Sequence, residues 1–250
     1  MSRNLIYLCV FYNTDYILLL KEVFRSIDRC GGLDENTDIV IFTHPTFHTE
    51  IQAAAAESNL TVQFFFIELN TLFHSAMARL FLYEWAPIWN YDKVLYLDTD
   101  ILINGVLSRI FNLPIKSEKL YALEEGTIGH AFWGGDLFNF SVWDREMPGF
   151  TSGVLLFKNT ADIQNLFHSV VEHIHTDCIV KRKFVPSTLE QPYLIYNAYM
   201  QNKYNTELLK DYVVNNAEVP ENKIIYHFPG GPGGFVNKYT KMLEFIKKLL

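Results

Sequence analysis

Residues 93–100 read Lys93-Val94-Leu95-Tyr96-Leu97-Asp98-Thr99-Asp100, an apolar run with strand character that ends in two carboxylates. Successive side chains of an extended chain point to opposite faces, so Asp98 and Asp100 share one side. Carboxylate oxygens are good ligands for Mg²⁺ and Mn²⁺, which keep open positions for phosphate oxygens. Open α/β sheets bind their ligands at the carboxyl ends of the strands. The stretch therefore predicts a metal–diphosphate site at that edge of a sheet.

Strand-like and helix-like segments alternate on the N-terminal side of this stretch. Strands are predicted at 5–11, 38–43 and 62–68. Helices are predicted after the capping sequence Asn13-Thr14-Asp15, at 47–58, and at 76–85, where Ser75 is the expected cap. Such alternation predicts an α/β fold with a mostly parallel, mixed central sheet flanked by helices.

The part of the chain after the acidic pair is less regular. A segment rich in glycine and aromatic residues, 126–149, predicts a long loop with short elements. Further elements are predicted as a strand at 153–157, helices at 161–176 and 189–202, a strand at 224–226, and a lysine-bearing amphipathic helix at 236–250. We find no linker or internal repeat in the sequence, and we expect one domain.

Composition narrows the class of protein. The net charge is −7, with no basic block before the C-terminal helix, which argues against a nucleic-acid partner. Cys9, Cys30 and Cys178 form neither a zinc pattern nor a disulfide framework, so we expect a reducing, cytoplasmic location. No segment is long and apolar enough to predict a membrane span. The C-terminal helix could touch an anionic membrane peripherally, although packing on the domain is the favoured role.

Several short segments occur in the order that one known family shows. They are Tyr12-Asn13-Thr14-Asp15-Tyr16, Ala78-Arg79-Leu80, Asp98-Thr99-Asp100, Phe150-Thr151-Ser152-Gly153-Val154-Leu155, Glu190-Gln191 and His227-x-x-Gly230. Together they make the chain resemble glycosyltransferase family eight, the glycogenin and lipopolysaccharide galactosyltransferase group. The resemblance implies a GT-A-like domain that binds a UDP-sugar and Mn²⁺ or Mg²⁺. It implies a retaining transfer of a hexose, with glucose or galactose favoured, to an acceptor hydroxyl.

The resemblance also assigns roles to residues. The metal ligands it implies are Asp98, Asp100 and His227, and the catalytic residues are Gln191, Glu190 and Arg79. We expect UDP to contact Tyr12, Asn13, Tyr16, Thr99, Gly230, Gly233 and Lys238, and the substrate sugars to contact Thr151, Ser152, Glu125 and Trp133. Residues 1–104 would form a nucleotide-binding half, 105–234 a donor and acceptor half, and 235–250 the C-terminal helix. In the 126–149 loop, Trp133 and Trp143 would offer aromatic faces to the acceptor; hydrophobic filling is the alternative.

The chain departs from the family pattern at a phosphate-binding lysine. The family loop continues His-x-x-Gly-x-x-Lys-Pro-Trp, whereas Gly233 stands at the lysine position here and no tryptophan follows. Lys238 lies a few residues later and is the candidate replacement. Glu190 replaces the usual aspartate and could act as a nucleophile in a double displacement. We favour the alternative, front-face attack, in which UDP is the base and Gln191 steadies the anomeric carbon.

Two other classes of function are compatible with the sequence. The missing lysine fits a sugar-nucleotide-binding or scaffold protein that lost turnover. A haloacid dehalogenase-type phosphatase would use Asp98 as nucleophile, but its acidic pair usually ends the first strand and precedes glycine, whereas Ile101 follows here. The sequence leaves the acceptor open among protein, glycan and lipid-linked sugar, and it leaves a homodimer open.

Overall fold

A computed structural model describes residues 3–183, 185–230 and 234–249. The centre of the main sheet is β1 (Asn4–Val10), which pairs in parallel with both β2 (Thr37–Thr43) and β4 (Lys93–Leu97). β3 (Val62–Phe66) pairs in parallel with β2 at the edge. β1, β2 and β4 are rich in buried β-branched and aromatic residues, as expected for strands covered on both faces. Because the strands are parallel, their carboxyl ends lie at one edge.

The other side of the main sheet is mixed. β7 (Pro148–Lys158) pairs antiparallel with β4 and with β6 (Leu120–Thr127), and β8 (Tyr204–Asn205) pairs in parallel with β6. The strand order is β3-β2-β1-β4-β7-β6-β8. The predicted mixed, mostly parallel sheet is confirmed. β7 is longer than the predicted strand at 153–157, and β6 was not predicted, so the loop between them is shorter than 126–149.

A second, three-stranded sheet begins directly after the acidic pair. β5 (Ile101–Ile103) pairs antiparallel with β10 (Ile225–His227), which pairs in parallel with β9 (Val213–Asn215). The register sets His227 opposite Ile101, and the Phe228 amide donates to the Asp100 carbonyl at 2.9 Å. This pairing brings the end of β10 beside the end of β4.

Seven α-helices are described, and several continue into other helix types. They are α1 (Asp15–Ser26), α2 (His48–Glu57), α3 (Leu72–Met77), α4 (Ser108–Phe111), α5 (Ala161–Ile174), α6 (Gln191–Met200) and α7 (Gly234–Leu249). Turns of π-helix follow α1 and α5 at Ile27–Gly31 and His175–Val180, and 3₁₀ segments lie at Pro45–Phe47, Ala78–Glu84, Ala86–Asn90, Ala131–Trp133 and Leu208–Asp211.

The predicted helix at 76–85 is helical in the structure through Glu84, but its predicted start and its Ser75 cap are wrong. The helix begins at Leu72, because the Thr71 hydroxyl accepts a hydrogen bond from the His74 amide at 3.2 Å and caps it. Ser75 lies inside the helix, and its hydroxyl donates to the Thr71 carbonyl at 2.8 Å. The chain changes to 3₁₀ geometry at Ala78.

The C-terminal helix packs on the body of the protein. Met242 and Phe245 of α7 are buried, and they contact a cluster that includes Leu19, Tyr226 and Phe228. The apolar stripe of α7 is therefore used in packing, which is the role that the sequence favoured. Among the described residues, no helix has the length and apolar character required to cross a membrane.

Candidate functional site

The acidic pair and His227 converge at the carboxyl edge of the main sheet. Each of Asp98, Asp100 and His227 offers one ligand atom, and these atoms all lie within 4.8 Å of one another. Nδ1 of His227 lies 2.9 Å from Oδ1 of Asn215. Since that amide oxygen can only accept, Nδ1 donates to it, and a neutral imidazole would then present the lone pair of Nε2 to the carboxylates.

A carboxylate–amide–imidazole chain holds His227 in place. Asn215 ends β9, opposite His227 in the parallel register, and its Nδ2 donates to Glu125 Oε1 at 2.9 Å. Glu125, predicted to contact substrate, thus supports the imidazole through Asn215. Asn215 was not identified from the sequence, where nothing signalled its pairing with β10.

These residues fit a divalent cation. Asp100 is 1% exposed, and neither of its carboxylate oxygens accepts a well-directed hydrogen bond from the described residues. Gly153 leaves the space beside them open: a Cβ there would lie 2.5 Å from Cε1 of His227, 2.6 Å from its Nε2 and 3.0 Å from Oδ2 of Asp98. Two carboxylates and one imidazole around a polar space make a donor set suited to Mn²⁺ or Mg²⁺.

Lys238 of α7 reaches the same carboxylate. Its Nζ lies 2.5 Å from Oδ2 of Asp100. Burial raises the pKa of Asp100, but Lys238 and His227 outweigh it, so that pKa lies well below its usual value. Burial likewise lowers the pKa of Lys238, and Asp100 more than restores it. Both groups are therefore charged at neutral pH.

Arg79 links the metal-ligand candidates to Glu190. Its Nη2 lies 3.1 Å from Oδ1 of Asp98, and its Nε lies 3.1 Å from Oε1 of Glu190. The guanidinium also covers the ring of Tyr96, 4.7 Å from the centroid, and the Tyr96 hydroxyl donates to Oδ1 of Asp98 at 2.5 Å. Burial raises the pKa of Glu190 and Arg79 lowers it, with a net rise.

The residues predicted to face the sugar are brought together by β7 and the start of α6. Gln191 Oε1 accepts from the Ser152 amide at 2.9 Å, and its Nε2 donates to the Phe132 carbonyl at 3.2 Å. The Ser152 hydroxyl donates to Glu190 at 3.1 Å. Thr151, which is buried, accepts from the Gly153 amide at 3.2 Å. These hydrogen bonds join β7 to the start of α6, and together the two elements form one wall of the site.

Of the residues predicted to hold the nucleotide, Tyr12 and Tyr16 line the cleft, and Asn13 does not. Tyr12 has a φ of 68°, an uncommon value for a residue with a side chain, and the residue is 58% exposed. Tyr16 lies near Phe235 of α7, with 6.3 Å between ring centroids. The structure does not bring Asn13 to the cleft: its Oδ1 accepts from the Asp15 amide at 2.9 Å at the start of α1. Gly233 lies outside the described residues.

A cleft of about 580 Å³ joins these groups. The predicted site residues that line it are Tyr12, Tyr16, Arg79, Asp98, Thr99, Asp100, Glu125, Trp133, Thr151, Ser152, Glu190, Gln191, His227, Gly230 and Lys238. A cleft of this size suits a ligand as large as a nucleotide sugar.

The two tryptophans of the loop between β6 and β7 differ in placement. Trp133 lines the cleft, but a Cβ on Gly126 would lie 2.5 Å from its six-membered ring, and one on Gly149 would lie 2.6 Å from Cγ. Trp143 packs edge-on against Phe138 and Tyr199. Trp143 therefore serves as hydrophobic filling, and the glycines cover much of the Trp133 ring that was expected to face a sugar.

Solved structures share the fold at low sequence identity. The chain is 16% identical to the galactosyltransferase LgtC, solved with donor and acceptor sugar analogs, over 96% of this chain and 94% of that one, with a TM-score of 0.60. It is 13% identical to mouse xyloside xylosyltransferase 1 over 91% of this chain and 98% of that one, with a TM-score of 0.62. It is 14% identical to the bifunctional glycosyltransferase WbbM over 99% of this chain, with a TM-score of 0.62.

The chain spans 50% of the length of WbbM. No curated protein sequence shows significant similarity to the chain. The profile of glycosyl transferase family 8 matches residues 48–232, well over half of the chain, including both aspartates and the imidazole. With this match and the shared fold, the chain belongs to glycosyl transferase family 8.

Proposed function

We propose that this chain transfers a hexose from a UDP-sugar to an acceptor hydroxyl with retention, in a reaction that needs Mn²⁺ or Mg²⁺. Glucose and galactose are the favoured sugars. Enzymes of family 8 typically use a divalent metal and a nucleotide sugar. The observation that carries the proposal is the convergence of Asp98, Asp100 and His227 within 4.8 Å at the wall of a nucleotide-sized cleft.

Each part of the cleft has a role in this proposal. Asp98, Asp100 and His227 would hold the divalent ion, which would supply Lewis-acid stabilisation to the leaving diphosphate. The exposed ring of Tyr12 offers a stacking surface to the uracil, with Tyr16 behind it. Lys238 and the backbone at Gly230 contact the diphosphate, and Thr99 lies at the turn between the two aspartates.

The contacts of Glu190 favour front-face attack over double displacement. A nucleophilic carboxylate must be oriented toward the anomeric carbon. Here Oε1 of Glu190 pairs with Arg79 at 3.1 Å and accepts from Ser152 at 3.1 Å, in a buried position, so these two contacts fix the orientation of the carboxylate in the wall of the cleft. We assign Glu190 to the orientation of Arg79, and Gln191 to the sugar face, with Thr151 and Ser152 beside it.

The wider organisation follows from the same proposal. Residues 1–250 act as one domain, with UDP in the half formed by 1–104 and the sugars in 105–234. A reducing, cytoplasmic compartment remains our prediction, and the three cysteines are unpaired. The acceptor is a hydroxyl compound of a class that the cleft does not specify. Family membership removes the basis of the phosphatase hypothesis.

A thermal-shift panel of nucleotide sugars with and without Mn²⁺ tests the proposal, because ligands of the native state raise its melting temperature. We expect a UDP-hexose with Mn²⁺ to give the largest shift, and the same mixture to release UDP slowly. Asp100→Asn should abolish both effects, and Asp28→Asn, an exposed carboxylate away from the cleft, should retain them. A shift without UDP release, even with a range of sugar acceptors, would support the scaffold alternative. No shift with any UDP-sugar would refute the proposal.

A further inference from the structure

The ammonium of Lys238 lies where a cation is expected at Asp100. Its Nζ is 2.5 Å from Oδ2 of Asp100, while Nε2 of His227 is 3.4 Å from Oδ1 of the same carboxylate. Neither oxygen of Asp100 accepts a well-directed hydrogen bond from the described residues. The lysine thus neutralises the charge of Asp100 without satisfying the directional needs of its oxygens.

The lysine is delivered by a firmly packed helix. Met242 and Phe245 anchor α7 in the cluster with Tyr226 and Phe228, and the side chain of Lys238 is only 20% exposed. Its Cε would lie 3.3 Å from a Cβ at Gly230, so the stem passes over the turn that follows β10. A lysine side chain has a flexible four-carbon stem, so the ammonium can move while the helix stays in place.

We propose that Lys238 is a tethered counter-ion: its ammonium occupies the cation position at Asp100 in the metal-free protein and moves to the diphosphate when metal and nucleotide bind. The inference rests on the proposed function. An ammonium and a divalent ion repel each other if both lie against one buried carboxylate. The diphosphate offers the displaced ammonium a new anionic partner, so each ligand favours binding of the other.

Lys238 then has two opposite effects on the binding of the divalent ion. Without nucleotide, the lysine competes with the divalent ion and weakens its binding. With UDP, the lysine adds an ion pair and strengthens the complex. Because coupling between two ligands is reciprocal, removal of the ammonium should reduce the factor by which Mn²⁺ improves UDP binding as well as the factor by which UDP improves Mn²⁺ binding.

Mn²⁺ binding measured by electron paramagnetic resonance, with and without UDP, tests this inference. We expect Lys238→Met to bind Mn²⁺ about tenfold more tightly than the wild type in the absence of UDP. With UDP present, the advantage should disappear or reverse. Lys247→Met, which removes an exposed charge from the same helix, should behave as the wild type. Lys238→Arg keeps the charge and should also keep the weaker Mn²⁺ binding without nucleotide.

The outcomes separate the two proposals. If the wild type binds Mn²⁺ and UDP together, but Lys238→Met binds Mn²⁺ alone no more tightly, the counter-ion is refuted and the proposed function stands. If the wild type binds no Mn²⁺ even with UDP, both are refuted. Circular dichroism establishes that each variant is folded. Should Lys238→Met fail to fold, Lys238→Gln takes its place with the same expected tightening.

Discussion

Gly153→Ala should disable the metal site through a single methyl group. The new Cβ would lie 2.5 Å from Cε1 and 2.6 Å from Nε2 of His227, whereas ordinary contacts begin at 3.4 Å. The imidazole must therefore move by about 0.9 Å, the difference between 3.4 and 2.5 Å. Metal–ligand distances tolerate only about 0.2 Å. A shift of this size removes one of the three candidate ligands.

We expect Gly153→Ala to weaken Mn²⁺ binding at least about 100-fold, the upper end of the loss seen when only the support of a ligand is removed. Electron paramagnetic resonance measures the affinity, and thermal unfolding by circular dichroism establishes the fold. Gly105→Ala serves as the control and should leave binding unchanged, since the three atoms nearest to its Cβ would all belong to Ile224, with Cγ1 at 3.2 Å.

The cause of the loss can be tested in a double-mutant cycle with His227→Ala. Without the imidazole, the methyl group has room, so Gly153→Ala should cost much less stability in that background than in the wild type. Metal binding should stay weak, because the ligand is absent. A folded Gly153→Ala protein with wild-type Mn²⁺ affinity would show that His227 does not ligate the ion, and the reasoning would fail.

Three further predictions concern charge and packing. Glu190→Gln should keep UDP-sugar binding and lower transfer about 10- to 100-fold, because it weakens the support of Arg79 beside Asp98; initial rates measure this, and complete loss of transfer with intact binding would favour double displacement instead. Burial raises the pKa of Asp177, but Lys183 at 2.7 Å and Lys181 at 3.0 Å leave it below its usual value. The ionised Asp177 therefore stabilises the folded protein fully above about pH 4, and this stabilisation is lost as the pH falls through the lower, folded-state pKa. Asp177→Asn should flatten the acid side of a plot of melting temperature against pH, and an unchanged plot would contradict this. Phe245→Ala should cost about 3–5 kcal/mol of unfolding free energy in urea titrations, whereas the exposed Val236→Ala should cost under about 0.5 kcal/mol; equal effects would refute the packing of α7.

The main sheet could be predicted because its signals are local. Apolar runs at β1, β2 and β4 are bounded by helix caps and glycines, and a parallel order follows from the intervening helices. The acidic pair could be predicted for the same reason, since its side chains continue the alternation of β4. That alternation also places Tyr96 on the side of Asp98, a contact that sequence reasoning could have identified and did not.

The rest of the site depends on pairings between distant segments. Asn215 supports His227 because β9 and β10 pair in parallel in a small sheet whose strands have three residues each. Segments this short carry no periodicity that would reveal their partner. The ion pair between Arg79 and Glu190 likewise joins a 3₁₀ segment to the start of α6. The resemblance made Arg79 a catalytic residue, and the structure pairs it with Asp98 and Glu190. No local signal in the sequence indicated either pairing.

The balance of charge explains why nucleotide and metal should bind together. Three carboxylates, Asp98, Asp100 and Glu190, contact two permanent cations, Arg79 and Lys238, so this cluster carries one excess negative charge. A divalent ion alone would turn that into one excess positive charge in a largely buried setting, which is costly unless an anion compensates it. A diphosphate brings that compensation to the same place. Neither ligand is then expected to bind well without the other, whichever hexose the donor carries.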